Sequence, residues 1–420
     1  MGWQSKRGKV DLAKCCVTVR PKPQMKAPSM SLSQGRPYLA IPGPSVIPDA
    51  VLQAMHRASP NIYEGELHDI TASLVPDLKA IAMTDSNVAI YIGNGHAAWE
   101  AALANVLSKG DTVLVLATGR FCIGWGEMAA GMGAHVETID YGAQSPIDLA
   151  RVEEVLAADT HGRIKAVLAV HVDTSTSVKN DIAGLRATMD RAGHPALLMA
   201  DCIASLGCDR FEMDAWGVDV MVSGCQKGLM TPAGVSFVWF NDKARAGRGD
   251  CVTTYWDWRP RVDPDMYFQY FDGTAPTHHI YGLRTALDII KAEGLDAVFD
   301  RHEKLAQVIW TAFDQWSKEG PMHLNIADPA HRSHAVTSIS IGSPNGDALR
   351  QWCEHQCGLT LGIGLGRSPA DAYFRIGHMG HVNAHMIMGV LGTIDAGLKA
   401  LGIPHGAGAL EAASRIVATA

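Results

Sequence analysis

The chain has 420 residues, of which 47% are hydrophobic and 19% are charged. This balance is typical of a globular protein and excludes a largely disordered one, and the length suits two or more domains. The formal net charge of −7 excludes an overall basic field of the kind that attracts nucleic acid. No apolar run of about 18 residues or more occurs, so we expect no membrane span. Nine scattered cysteines predict reduced thiols and a cytoplasmic location.

The first 36 residues form a basic segment that differs from the rest of the chain. They contain eight Lys or Arg and a single acid, Asp11, and they show neither helical nor strand periodicity. We expect a disordered tail, or a start codon placed too far upstream, with Met25 or Met30 as the true start. A transit peptide, which is also basic and poor in acids, is a further alternative.

From about residue 85, short apolar runs alternate with stretches that have helical spacing. Continuous apolar strands separated by helices indicate a mainly parallel sheet that is covered on both faces. The predicted fold class is therefore α/β, with a large domain at 37–285 built on seven strands. These strands are predicted at 88–92, 112–117, 135–140, 165–172, 196–201, 218–223 and 235–240, with helices at 96–109 and 123–132.

After about residue 285 the pattern changes to fewer strands and longer helices. We interpret 286–420 as a smaller α+β domain. Its predicted elements are one long helix at 281–318, a strand at 335–341, a helix at 346–357, strands at 359–363 and 372–376, and a helix at 384–401.

Two charged residues follow strands of the predicted parallel sheet, at the edge where such sheets bind ligands. Lys227 lies in a loop of small residues, where burial would disfavour its ammonium form and leave the neutral amine that forms Schiff bases. Asp201 ends an apolar strand, where an acid can pair with a protonated pyridine nitrogen, although a turn aspartate is an alternative. We expect one helix-bearing crossover to connect the two.

Three further features point to an anionic, flat ligand. The turn at 93–96 opens a helix and could offer backbone N–H groups to a phosphate. Phe121 follows a strand and could stack on a ring, or could simply belong to the core. Arg375 lies in the middle of an apolar strand and needs an anion, either a ligand carboxylate or an internal acid. No metal site is predicted, because Cys353 and Cys357 have no second cluster to support zinc.

Lys227, Asp201, Arg375 and the turn at 93–96 belong to motifs that occur in order along the chain. With them, the chain from about residue 38 to 415 resembles the class V, fold-type I aminotransferases that use pyridoxal 5'-phosphate (PLP), in particular the serine–glyoxylate and alanine–glyoxylate group. The motifs are IPGPS at 41–45, GNGHAAWE at 93–100, HVDTSTS at 171–177, DCIAS at 201–205, MDAWGVD at 213–219, GCQKG at 224–228, YGLR at 281–284 and FRIGHMG at 374–380.

The resemblance implies PLP as the cofactor, a homodimer, and a role for each matched residue. Lys227 would bind the cofactor covalently and carry the proton, and Asp201 would bind the pyridinium nitrogen. Arg375 would hold the substrate carboxylate, with Pro42 and Gly43 bordering the substrate. The other implied contacts are Asn94, Gly95, His96 and Gln226 at the phosphate, Thr274 at the phosphate of the neighbouring subunit, Phe121 and Ile203 on the two ring faces, and Ser175 near the ring hydroxyl.

The implied reaction moves an amino group from a small amino acid, serine or alanine, to a 2-oxo acid such as glyoxylate or pyruvate. The segment at 61–66 departs from the pattern of many relatives and leaves the amino donor open, with aspartate also plausible. One alternative is a pyridoxamine–pyruvate type of aminotransferase, which shares the RIGHMG string. Others are a PLP lyase or cysteine desulfurase, against which 358–373 lacks a cysteine, and a binding protein without turnover.

Overall fold

The computed structural model describes residues 31–419, so most of the tail predicted at 1–36 lies outside the described residues. Its strands are β1 (Tyr38–Ala40), β2 (Asn87–Gly93), β3 (Thr112–Ala117), β4 (His135–Asp140), β5 (Ile164–Val170), β6 (Leu197–Asp201), β7 (Val220–Gly224), β8 (Gly234–Phe240), β9 (His323–Leu324), β10 (Val336–Ser340), β11 (Leu359–Ile363) and β12 (Tyr373–Gly377).

The helices alternate with these strands. They are α1 (Asp49–Met55), α2 (Glu66–Ile81), α3 (Gly95–Val106), α4 (Arg120–Gly131), α5 (Leu149–Ala158), α6 (Ile182–Arg191), α7 (Asp242–Ala246), α8 (Arg259–Val262), α9 (Thr277–Glu293), α10 (Leu295–Trp316), α11 (Asn345–Cys357), α12 (Ala384–Ala400) and α13 (Ala409–Ala418). Across 31–419, none of them combines the length and the apolar character that crossing a membrane requires.

The larger sheet has seven strands in the order β2-β8-β7-β6-β5-β3-β4. Only β8 runs antiparallel to its neighbours, β2 and β7, and the remaining pairs are parallel. Both faces carry a hydrophobic core, because α2, α6 and α9 cover one face while α3 and α4 cover the other. The predicted α/β class and the seven-stranded, mainly parallel sheet are confirmed.

The connection between β6 and β7 differs from the prediction. Residues 202–219 form a series of turns and contain no helix, so the expected helix-bearing crossover is wrong. Gly207 and Gly217 have φ of +71° and +60°, which a continuous helix does not accommodate. The two strands are nevertheless parallel, so Asp201 and the loop after β7 still reach the same edge of the sheet.

The smaller sheet has five strands in the order β1-β11-β12-β10-β9. β1 pairs in parallel with β11, so this N-terminal strand lies in the C-terminal sheet although the large domain was predicted from residue 37. The single helix predicted at 281–318 is also wrong, because α9 and α10 are separated at Gly294. Its φ of +88° is a conformation that ends helices and that glycine adopts without cost.

The smaller sheet packs against the carboxyl edge of the larger one. Ser338 of β10 donates its backbone N–H to Ser177 Oγ at 3.2 Å. Arg375 of β12 donates from Nη1 to the carbonyl oxygen of Thr174 at 2.7 Å. Both acceptors follow β5, so the small domain meets the large one where the parallel strands deliver their polar residues.

Candidate active site

A cavity of about 260 Å³ lies at this carboxyl edge. Its wall combines residues that follow β2, β3, β5, β6 and β7 with the segment after β1. Parallel strands deliver their ends to one edge, so side chains far apart in sequence meet here. The predicted site residues that line the cavity are Gly43, Asn94, Gly95, His96, Phe121, Asp201, Ile203, Gln226 and Lys227.

Lys227 reaches the cavity from the loop after β7 and keeps only part of its surface exposed. Its Nζ donates a hydrogen bond to the carbonyl oxygen of Pro42. Ser45 secures the same loop, because its Oγ donates to the Lys227 carbonyl at 2.7 Å. Burial, together with the positive charge of Arg375, lowers the pKa of Lys227 to about 8. About a tenth of the amines are therefore neutral at pH 7, far more than for an exposed lysine.

Gly43 makes this approach possible. A Cβ atom at this position would lie 2.5 Å from Lys227 Cδ and 2.5 Å from its Nζ, distances that real contacts do not show. The φ of Gly43 is +92°, a region that L side chains rarely adopt. Glycine is thus required both by the backbone conformation and by the lysine that packs against it.

Asp201 ends β6 and points its carboxylate into the cavity wall, with 3% of its surface exposed. Trp99 donates from Nε1 to Oδ2 at 2.9 Å, and the backbone N–H of Ile203 donates to Oδ1 at 2.7 Å. Burial raises the pKa of Asp201 to about 7, while these two hydrogen bonds favour the charged form and lower it. A cationic ring nitrogen in the cavity would complete the solvation that burial removes.

Aromatic and aliphatic side chains form two further walls of the cavity. Phe121 lies in the first turn of α4, and its backbone N–H donates a hydrogen bond to Asp173 Oδ2 at 2.9 Å, which holds this part of the backbone in place. Ile203 packs closely over Gly95, because a Cβ at Gly95 would lie 2.4 Å from Ile203 Cδ1. Phe121 and Ile203 thus give the cavity apolar lining of the kind that suits a flat ring.

The N-terminus of α3 forms one end of the cavity. Asn94 caps this helix, since its Oδ1 accepts hydrogen bonds from the backbone N–H groups of His96 at 3.0 Å and Ala97 at 3.4 Å. The N–H of Gly95 belongs to the first turn, which has no intrahelical acceptor. Gln226 lies beside it, and its Oε1 is buried with no hydrogen-bond partner among residues 31–419. This end offers polar groups to an anion.

Arg375 does not line the cavity of Lys227 but lies beside it in β12, with 6% of its surface exposed. Its Nε donates to the Ile363 carbonyl at 2.7 Å, and its Nη1 donates to that of Thr174. Within the described part of the chain, no carboxylate forms an ion pair with it. Burial lowers the pKa of Arg375 to about 10, so the guanidinium stays charged.

Besides Arg375, three predicted site residues are not among those that line the main cavity. Pro42 contacts the cavity only through its carbonyl oxygen at Lys227 Nζ. Ser175 lines an adjacent cavity of about 490 Å³, and its Oγ donates to Asp173 Oδ1 at 2.5 Å. Thr174 takes its place in the wall of the main cavity. Thr274 is exposed and lines neither cavity, so its role toward a neighbouring subunit stays a prediction.

Comparison with known proteins agrees with this geometry. The model of the family "Aminotransferase class-V" matches residues 38–381. The chain belongs to the class V aminotransferases. It is 36% identical over 378 residues to a serine–glyoxylate aminotransferase of Hyphomicrobium methylovorum, covering 87% of this chain and 91% of that protein.

Two further relatives of this class V aminotransferase carry other names. An L-aspartate–glyoxylate aminotransferase of Paracoccus denitrificans (strain Pd 1222) is 35% identical over 392 residues, which is 89% of this chain and 94% of that protein. The crystal structure of pyridoxamine–pyruvate aminotransferase from Mesorhizobium loti superposes with a TM-score of 0.83 at 24% identity, covering 92% and 98% of the two chains. This second likeness concerns the fold.

The cofactor of this class V aminotransferase is PLP, and the residues of the cavity fit it. An acid, Asp201, stands where a pyridine nitrogen needs one, and a lysine of lowered pKa, Lys227, is available to its aldehyde. The helix N-terminus at Gly95 and His96 favours a phosphate, and the amide NH₂ of Gln226, which lines the same cavity, is a further donor of the kind a phosphate needs. Gly43 and Gly95 keep the space that a Cβ would fill.

Sequence reasoning missed two residues that organise this site. Trp99 is three residues after His96 on α3, so both face the cavity, and a large ring among small helix residues was an available signal. Asp173 is fully buried and accepts hydrogen bonds from the backbone N–H groups of Phe121 and Ser175. Its position after β5 placed it at the right edge, but its partners depend on the folded loops.

Proposed function

We propose that this protein transfers the amino group of a small amino acid, serine or alanine, to a 2-oxo acid such as glyoxylate or pyruvate. The observation that carries the proposal is the pair of Lys227 and Arg375. One of these buried cations can lose its proton near neutral pH, and the other keeps its charge beside it for a carboxylate.

Different residues of the chain would have different roles in this reaction. PLP bound in the cavity supplies an electron sink that eases removal of a proton from the substrate carbon bearing the amino group. Arg375 orients the substrate by its carboxylate, with Pro42 and Gly43 on the opposite border. Lys227 Nζ, in its neutral form, would take up the proton from the substrate carbon, and Asp201 would pair with the protonated ring nitrogen of PLP.

The remaining cofactor contacts complete the proposal. Gly95 and His96 at the start of α3, with Asn94 capping it and Gln226 beside it, would hold the phosphate. Phe121 and Ile203 would enclose the ring. Ser175 would contact the cofactor only indirectly, because its hydroxyl donates a hydrogen bond to Asp173.

We also propose a homodimer in which Thr274 of each subunit reaches the phosphate of the other. Thr274 is exposed and does not line the cavity of its own chain, as expected of a residue that contacts a neighbouring subunit. A Thr274→Ala variant should weaken PLP binding without changing the mass measured by analytical ultracentrifugation. A monomer of full activity would exclude the arrangement.

A cytoplasmic location is proposed from cysteine usage. The seven cysteines within residues 31–419 are all free, and most are buried. Reduced thiols are typical of cytoplasmic proteins. Fractionation of cells that express the full chain would test this location.

The desulfurase alternative is disfavoured by the cysteine that precedes Arg375 in the sequence, Cys357. Cys357 ends α11, and burial raises its pKa, so the nucleophilic thiolate is suppressed. The pyridoxamine–pyruvate alternative would need no phosphate, whereas Gln226 and the start of α3 form an end suited to one.

The decisive experiment is a donor screen with purified holoenzyme. Serine, alanine, aspartate and pyridoxamine are each paired with glyoxylate and with pyruvate, while the absorbance of the bound cofactor and the oxo acid formed are followed. We expect serine or alanine with glyoxylate to be fastest. Multiple turnover with pyridoxamine as the only amino donor and pyruvate as the acceptor, in protein free of PLP, would overturn the proposal in favour of that alternative.

A further inference from the structure

We propose that Trp99 is a positioning residue for the reaction, which holds the Asp201 carboxylate charged and aimed at the ring nitrogen of the cofactor through its indole N–H. The inference rests on the proposed role of Asp201 toward PLP. It adds Trp99, which would act on the cofactor only through the Asp201 side chain.

The two donors to Asp201 determine how its carboxylate lies. Trp99 Nε1 bonds Oδ2 at 2.9 Å, and the Ile203 backbone N–H bonds Oδ1 at 2.7 Å. One donor on each oxygen defines the plane of the carboxylate and leaves a second lone pair on each for the ring nitrogen. The Ile203 donor is part of the backbone, so Trp99 is the side chain that completes this arrangement.

No cation among residues 31–419 comes within ion-pair distance of Asp201 to share this task. Asp201 is 3% exposed and Trp99 is 1% exposed, so water cannot replace a missing donor easily. Burial raises the pKa of Asp201, and the Trp99 hydrogen bond opposes that rise. Hydrogen bonds to a charged group of this kind contribute more than those between neutral groups.

Packing keeps the Trp99 indole where it is. Its ring stacks on Trp125 at a centroid distance of 6.0 Å with 17° between the planes, and it meets Phe121 edge to face at 6.2 Å. Both contacts are made by the ring faces and edges. A ring of the same shape without the N–H would therefore keep the packing and lose only the hydrogen bond.

Trp125 provides a matched control within the same aromatic stack. It is fully buried, and its Nε1 has no hydrogen-bond partner among the described residues. Trp125→Phe therefore removes one indole N–H and some ring volume beside the site, as Trp99→Phe does, without touching Asp201.

The experiment follows the protonation of the cofactor's ring nitrogen in Trp99→Phe, Trp125→Phe and wild-type holoenzyme. PLP labelled with ¹⁵N is bound, and the nitrogen resonance is recorded from about pH 6 to about pH 9. We expect the ring nitrogen in Trp99→Phe to be less protonated than in wild type, because a carboxylate that has lost this donor is more basic and takes a larger share of the proton. Its kcat should fall about ten- to a hundredfold, with KM changed much less. Trp125→Phe should titrate as wild type does.

A second variant separates hydrogen bonding from packing. Incorporation of 3-benzothienylalanine at position 99 replaces the indole N–H by sulfur and keeps the ring shape, so it serves if Trp99→Phe folds poorly. A wild-type titration in this variant would overturn the inference, as would equal shifts in Trp99→Phe and Trp125→Phe. The Asp201→Asn variant distinguishes failure of the proposed role of Asp201 from failure of the inference about Trp99. If Asp201→Asn leaves the titration unchanged, both the role of Asp201 and the inference fail; if it shifts while Trp99→Phe does not, only the inference fails.

Discussion

Lys227 and Arg375 are two buried cations that reach one site from different domains. Lys227 comes from a loop of the seven-stranded sheet, and its Nζ donates to one acceptor among residues 31–419, the Pro42 carbonyl. Arg375 comes from the middle of the five-stranded sheet and donates to two carbonyls, those of Ile363 and Thr174. Burial lowers the pKa of both, to about 8 for Lys227 and about 10 for Arg375.

The same physical cause therefore has opposite consequences. A lysine whose pKa falls to about 8 becomes a nucleophile and a base, whereas an arginine with a pKa of about 10 remains a fixed charge. The two also interact, since the charge of Arg375 further lowers the pKa of Lys227. The small domain thus contributes a fixed positive charge that helps to lower the pKa of the lysine.

Removing the amine should have the largest effect. Lys227→Ala loses both the covalent anchor and the proton carrier, so turnover should fall at least about thousandfold. Borohydride reduction followed by mass spectrometry should fix the cofactor to the wild-type chain and to the control Lys109→Ala, whose lysine is exposed. Stable labelling of Lys227→Ala would place the anchor elsewhere.

Altering the fixed charge should have the next largest effect. Arg375→Lys retains a cation but loses the directed N–H groups, so kcat/KM for amino acids should fall about ten- to a hundredfold, mainly through KM. An amine without a carboxylate serves as the control donor and should lose far less. Equal losses for both donors would show that Arg375 does not bind the substrate carboxylate.

The pH dependence of cofactor uptake tests the coupling of the two cations. Only the neutral amine of Lys227 can react, so the rate of PLP uptake by apoprotein should rise about tenfold per pH unit below about pH 8 and level off above it. Arg375→Gln removes the neighbouring charge and should move the plateau to higher pH. Arg375→Lys, which keeps a charge, should move it less. If Arg375→Gln leaves the pH of the plateau unchanged, the charge of Arg375 does not lower the pKa of Lys227.

The contact between Lys227 and Gly43 should produce the smallest effect. Gly43→Ala imposes strain of about 1–3 kcal/mol from φ and also displaces Lys227. Gly110→Ala is the control, because Gly110 has a φ of +87° but no atom near its Cβ position. Both variants should unfold at lower temperature in calorimetry, and only Gly43→Ala should also slow PLP uptake. Equal uptake rates would show that the lysine adjusts freely.

Much of the fold was predictable because hydrophobic periodicity is local. Strands β3 and β4 have the predicted bounds, and the others in the large sheet differ by one or two residues at either end. The single helix predicted at 281–318 failed because the apolar spacing continues on both sides of Gly294. The pairing of β1 with β11 was missed because three residues carry too little periodicity to be assigned to a sheet.

Sequence alone determined which residue types stand at the strand ends, and hence that an acid, a lysine and a glycine turn share one edge of a parallel sheet. Only the tertiary structure decided which partners they meet. Pro42 reaches Lys227 across 185 positions, and Thr174 reaches Arg375 across 201. Protonation and orientation depend on burial and on such distant hydrogen bonds, so these properties exist only once the chain has folded.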